Sequence, residues 1–288
     1  MIENPVANTA PNPVRVICVT GGKGGIGKTT VSINLAMAFA RQQKSVLLFD
    51  ADLSLANVDI RLGLHPHKNI HDFLSGECEL DEICISGPHG LKIIPSASGI
   101  PKMAELSSLE SAAIINAFSS LTANIDVMII DMAPGISSQV IDFTHAAQDI
   151  LVVVCNDPAS LMDSYAIIKI LHQRYARNRF GVVVNKVNHQ QEGYDVFCRF
   201  QDAIAKFIHV GMHYIGHIPQ DDYVSISARE GVAVIEKYPQ APAANAFHEL
   251  SHSIIHWQQD SPVGGGIQYF FERLLGNPVG AREKSCIV

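Results

Sequence analysis

Ten residues near the N-terminus constrain this chain more than any others: Gly21-Gly22-Lys23-Gly24-Gly25-Ile26-Gly27-Lys28-Thr29-Thr30. They follow the apolar run Val16–Val19 and precede Val31–Ala38, so the order is strand, glycine loop, helix. Glycines let backbone N–H groups converge on phosphate oxygens, and the helix N-terminus adds its dipole. Gly22, Gly24, Gly25, Ile26, Gly27 and Thr30 would line the cradle. Lys28 would reach the β- and γ-phosphates, and Thr29 would offer its hydroxyl to Mg²⁺. A phosphate loop already has its cation in Lys28, so Lys23, five residues earlier, needs its own explanation. One is a solvated surface lysine.

The chain around this loop alternates strand and helix. Apolar runs recur at 45–52, 91–94, 126–131, 150–155, 180–185 and 214–218, with helical patterns at 107–121 and 160–175 between them. Buried strands alternating with helices predict an α/β fold, a mostly parallel central sheet with helices on both faces. Ligands of such sheets bind at the C-terminal ends of the strands. Residues 1–13, rich in Pro and Asn, read as a flexible lead-in, 14–260 as one phosphate-loop domain, and 261–288 as hinge, amphipathic helix and tail.

Net charge of −7 and a pI near 6.0 argue against a chain-wide basic face, so direct sequence-specific DNA binding is not expected. Six cysteines are scattered without a Cys-x-x-Cys pair, several inside apolar runs as ordinary small core residues, which fits a reducing cytoplasm. The same spacing leaves no cradle for an iron–sulfur cluster at a dimer axis. No apolar run approaches the roughly 18 residues of a spanning helix. His65, His67 and His71 have no partner at metal-ligand spacing and read as solvated, and Trp257 reads as packing for a late helix.

Carboxylates and an amide cluster at the strand ends. Val127–Ile130 followed by Asp131 is an apolar strand ending in aspartate, the pattern that holds Mg²⁺ in phosphoryl transfer. Asp50 and Asp52, two apart at the end of another strand, point the same way. Asn57 and Asp59 are switch residues or turn caps in equal measure. Asn185 ends a strand with an amide that both donates and accepts.

Lys23-Gly24-Gly25-Ile26-Gly27-Lys28-Thr29 resembles the deviant Walker A motif of the MinD/ParA/NifH class of ATPases. The resemblance implies ATP/ADP and Mg²⁺ as ligands and a homodimer in the ATP state, with Lys23 crossing to the partner's nucleotide. It implies a catalytic set of Lys23, Lys28 and Asp52, the last orienting the attacking water. Thr29, Asp50 and Asp131 match the metal side. Asn185 matches an adenine contact, and Pro219 and Asp221 lie in the segment matching the loop along the base edge. Met132 departs from the class, which commonly places a hydroxyl residue there. Gly135 remains available as a flexible sensor of the γ-phosphate.

From residue 14 to about 275 the chain looks similar to the FlhG/FleN group of MinD-like ATPases, which limit flagellar number. Residues 57–64, 72–76, 91–99, 154–166 and 270–274 carry that similarity. It implies partners: a FleQ-like, σ54-dependent transcription activator, and an FlhF-type GTPase. The GTPase-stimulating Asp-Gln-Ala motif of some members is absent from the first thirteen residues, which favours the antiactivator role. The alternative is a MinD/ParA-like positioning or partition ATPase acting on a membrane or nucleoid surface. At the far end, Ile267, Phe270, Phe271, Leu274 and Leu275 share one helical face behind Gly264-Gly265-Gly266. Three berths compete for that face: a membrane surface, which would make a cytoplasmic protein peripheral on the inner face of the cell membrane, the protein's own body, or a partner's groove.

Overall fold

The computed structural model describes residues 14–52, 58–64, 66–68, 72–73, 75–95, 108–121, 124–257 and 267–275. The lead-in, Asn57, His65, His71, the glycine hinge, the tail beyond 275 and the side chain of Ile267 lie outside the described residues. Among the described residues, eight strands form one sheet in the order β3-β4-β2-β5-β1-β6-β7-β8. They are β1 (Arg15–Thr20), β2 (Val46–Ala51), β3 (Ile85–Ser86), β4 (Lys92–Ile94), β5 (Val127–Met132), β6 (Asp149–Cys155), β7 (Arg179–Val187) and β8 (Gly211–Pro219). Every pairing is parallel except β3 with β4.

The helices are α1 (Lys28–Arg41), α2 (Val58–Arg61), α3 (Leu80–Ile83), α4 (Ser108–Leu121), α5 (Ser138–Ala146), α6 (Pro158–Tyr175), α7 (Gln190–Ala205), α8 (Asp222–Arg229), α9 (Val234–Lys237), α10 (Pro242–His256) and α11 (Ile267–Leu275). Alternate residues of β1 serve opposite faces, as strand periodicity requires. Ile17 and Val19 join the core under α1 and α10, while Val16 and Cys18 join the core under α4 and α5. A third cluster packs α6 and α7 on β6, β7 and β8. Trp257, just past α10, closes the first core, and Gly181 makes room for it, since a Cβ there would lie 2.8 Å from the indole ring. Arg15 locks this edge, pairing with Asp149 at 2.6 Å and donating to the carbonyls of Ile254 and Trp257.

The amphipathic C-terminal helix is berthed on the protein's own body, one of the three berths open to it. Phe270 and Phe271 are 1% and 0% exposed. Phe271 stands 4.1 Å from the Phe118 ring of α4, and Phe270 meets Phe143 of α5 at 6.2 Å. Leu274 and Leu275 pack half-buried against the same cluster. Met132 also fills this core, at 1% exposure, so an apolar side chain at that position serves packing.

Candidate nucleotide site

The register of the central strands assembles the site. Asp50 of β2 pairs with Asp131 of β5, and Asp131 pairs with Val19 of β1, one residue before the strand ends and the glycine loop begins. Strand hydrogen bonding thus puts two carboxylates and the loop at one level. Within the loop, Gly25 and Gly27 have φ of +78° and +96°, conformations that L side chains resist. A Cβ on Gly22 would lie 2.2 Å from Asp163, and one on Gly27 2.3 Å from the Asn185 amide.

Lys28, only 6% exposed, folds its ammonium onto the Lys23 carbonyl at 3.2 Å. Burial lowers its pKa, and Asp131 and Asp52 pull it back toward the cationic form. Lys23 itself points outward and pairs with Asp157, which caps α6, at 2.7 Å. That contact raises the lysine's pKa and lowers the aspartate's.

Asp131 is wholly buried. Its Oδ1 accepts from the Ser32 hydroxyl at 2.8 Å, whereas Oδ2 is buried without a hydrogen-bond partner among the described residues. Burial, then the charge of Asp50, raises its pKa from 3.8 to about 7, against the pull of the Thr29 and Ser32 hydroxyls and of Lys28. A buried carboxylate with an unused oxygen, facing a hydroxyl and a lysine, suits a divalent cation: Mg²⁺ takes one or two carboxylates and completes its shell with phosphates and water. Asp50 spends its oxygens differently, Oδ1 accepting the Asp52 N–H at 3.0 Å and Oδ2 the Val58 N–H at 3.2 Å. It ties the end of β2 to the start of α2 and biases Asp131. Asp52, at 6% exposure, lies near enough to Lys28 to influence its charge.

The residues that the resemblance matched to the base do structural work. Asn185 donates to the Ile26 carbonyl at 2.7 Å while its Oδ1 accepts the Lys186 N–H at 2.9 Å. Lys186 sits in a bulge of β7 with φ +61°, and its ammonium reaches the Gly25 carbonyl at 2.9 Å. Together they strap the phosphate loop to the end of β7. Asp221 caps α8 through the Tyr223 N–H and also accepts from the Ala243 N–H, and Pro219 ends β8 half-buried. Thr29 and Thr30 are half-exposed at the start of α1.

Two contributors gave no sequence signal. Lys186 is one; its neighbour Asn185 carried the motif. The other is Arg61, whose guanidinium donates to the Thr30 hydroxyl at 3.2 Å. Among the described residues no group of three or more His, Cys, Asp or Glu side chains could hold a metal ion by themselves, and no helix is long and apolar enough to cross a membrane.

A glycine loop at the end of a central parallel strand, a buried loop lysine and a buried aspartate on the next strand define a P-loop nucleoside triphosphatase. The family model described as "ParA: NUBPL iron-transfer P-loop NTPase" matches residues 12–255. The chain belongs to the ParA family of P-loop NTPases. It is 42% identical over 267 residues to antiactivator FleN of Pseudomonas aeruginosa, covering 93% of this chain and 95% of that one. It is 28% identical over 265 residues to the flagellum site-determining protein YlxH of Helicobacter pylori, covering 91% and 90%. Among solved structures, the cell-division ATPase MinD of Pyrococcus furiosus superposes with a TM-score of 0.67 at 22% identity, over 85% of this chain and 99% of that one. MinD of Pyrococcus horikoshii, complexed with Mg-ADP, gives 0.66 at 22% identity, over 84% and 96%. These two likenesses speak for the fold.

Proposed function

We propose that this chain is a regulatory ATPase that controls flagellar number, acting as an ATP-bound homodimer that restrains a σ54-dependent, FleQ-like transcription activator. The observation that carries this reading is the 42% identity to an antiactivator along nearly the whole of both chains. ATP is the substrate. Lys28, exchanging the Lys23 carbonyl for phosphate, neutralises charge on the β- and γ-groups from a site where water is largely excluded. Asp131, through its unused oxygen, and Thr29 would hold Mg²⁺, which supplies charge neutralisation across the phosphoryl oxygens. Asp52 orients the attacking water.

Lys23 is the dimer's contribution. Its side chain is 46% exposed, and an ion pair so placed contributes little, so the lysine can exchange Asp157 for the partner's nucleotide. Loss of the γ-phosphate then removes the bridge between subunits.

A second reading, a positioning ATPase on a membrane or nucleoid, is favoured by the likeness to YlxH, named a flagellum site-determining protein. In that reading α11 leaves its berth. Sedimentation of the purified protein with ADP and with a non-hydrolysable ATP analogue tests the switch: a dimer with the analogue alone supports it, and a monomer in both states refutes it. Pull-down of the activator by the ATP-state Asp52→Ala variant, which binds ATP without turning it over, separates the two readings. Capture supports the antiactivator, whereas pelleting with liposomes or DNA and no capture supports positioning.

A further inference from the structure

The short helix α2 is fastened to the nucleotide site at both ends. Its first residue, Val58, is fully buried and gives its N–H to Asp50. Its last, Arg61, donates to the Thr30 hydroxyl. The turn that follows is held as well: Leu62 and Leu64 pack against the core beneath α1, and Gly63 lies against Gly231, where a Cβ would come within 3.1 Å of the Gly63 nitrogen. Ile60, by contrast, is 71% exposed. The Arg61 guanidinium is therefore presented by an anchored element.

We propose that Arg61 is a positioning residue of the nucleotide site, acting through Thr30. A threonine hydroxyl has one proton and two lone pairs, and its rotor is otherwise free. Guanidinium has donors only, so its bond to Oγ1 occupies a lone pair and turns the Thr30 proton away from Arg61. Thr30 stands in the first turn of α1, directly after the glycine loop. Arg61 thus converts an indifferent hydroxyl into a preset donor for a phosphate oxygen, and a charge-assisted bond holds it more firmly than a neutral one. Presetting the donor before the ligand arrives lowers the ordering cost of binding. The inference rests on the reading of this site as an ATP site, and it assigns to the residue after Thr29 a function that depends on a side chain thirty-one positions away.

Equilibrium titration of a fluorescent ATP analogue and of ADP, with Mg²⁺, tests it on the wild type, Arg61→Met, Arg61→Gln, Thr30→Val and the Arg61→Met/Thr30→Val double variant. Arg61→Met is expected to weaken both ligands about tenfold. Arg61→Gln, which restores a donor, should recover to within about threefold. The double variant should be no weaker than Thr30→Val alone, because each change removes the same bond. Arg61→Met binding within twofold of wild type overturns the proposal, as does a double variant weakened by the product of the single effects. Should Arg61→Met fail to fold, Arg61→Ala, which also lacks a donor, completes the same cycle. Wild-type protein that binds neither nucleotide would bring down the ATP reading and this proposal together, a result distinct from wild-type binding with indifferent variants.

Discussion

Asp131→Asn should stabilise the nucleotide-free protein, and by an increment that grows with pH. The carboxyl is fully buried, its Oδ2 has no hydrogen-bond partner among the described residues, and Asp50 lies beside it in the sheet. Burial and that neighbouring charge raise its pKa from 3.8 to about 7. The unfolded chain releases the proton at the lower value and the folded chain at the higher. Between them the folded state holds more protons, so its stability falls as pH rises. Below about pH 4 the group is neutral in both states and carries no penalty; above about pH 7 the penalty is complete. It reaches about 4 kcal/mol at most, of which on the order of 2–3 kcal/mol develops between about pH 5 and about pH 8.5. Asparagine keeps an oxygen for the Ser32 hydroxyl and carries no charge. For a chain of this size the gain corresponds to roughly 4–10 °C in Tm. Thermal unfolding in EDTA without nucleotide, at about pH 5 and about pH 8.5, measures it. An advantage of the variant that stays constant or shrinks toward high pH would refute the reasoning.

Other consequences can be measured separately. Gly27→Ala places a methyl 2.3 Å from the Asn185 amide at φ +96°, whereas Gly24→Ala meets nothing within 4 Å. Thermal unfolding should therefore show a lower Tm for the first and no change for the second, and equal melting would contradict the strap described for this loop. Phe271→Ala removes a ring with no exposed surface, at a cost of about 3–5 kcal/mol. Amide exchange of residues 267–275 should rise about a hundredfold or more, and unchanged protection would mean that ring packing does not hold α11. Lys23→Ala should leave ATP affinity and Tm close to wild type while abolishing ATP-dependent dimers; normal dimerisation would exclude the composite, two-subunit site.

The sequence was most legible where a pattern is local. Each apolar run became a strand, because a parallel strand buried on both faces needs a continuous run of apolar residues. The glycine loop and Asp131 were legible for the same reason. β3 escaped, being two residues long and antiparallel at the sheet edge. Arg61 and Lys186 escaped for a different reason: their partners lie 31 and 161 positions away, and nothing in a single arginine or lysine announces a distant acceptor. Asp221 looked like part of a ligand loop, but an aspartate before a helix serves equally as its cap. The apolar face of α11 was plain from its spacing. Its berth was not, since helical periodicity specifies a face to be covered and leaves open what covers it.

The strap from β7 has a bearing on how such a site can change over evolution. Asn185 and Lys186 grip the carbonyls of Ile26 and Gly25, so the strand end matched to base recognition also sets the shape of the phosphate grip. On the proposed reading of this site, discrimination among bases and hold on the triphosphate are therefore not separate traits. A substitution that retunes one disturbs the other, and a lineage drifting toward a different nucleobase would have to rebuild its phosphate loop in the same step.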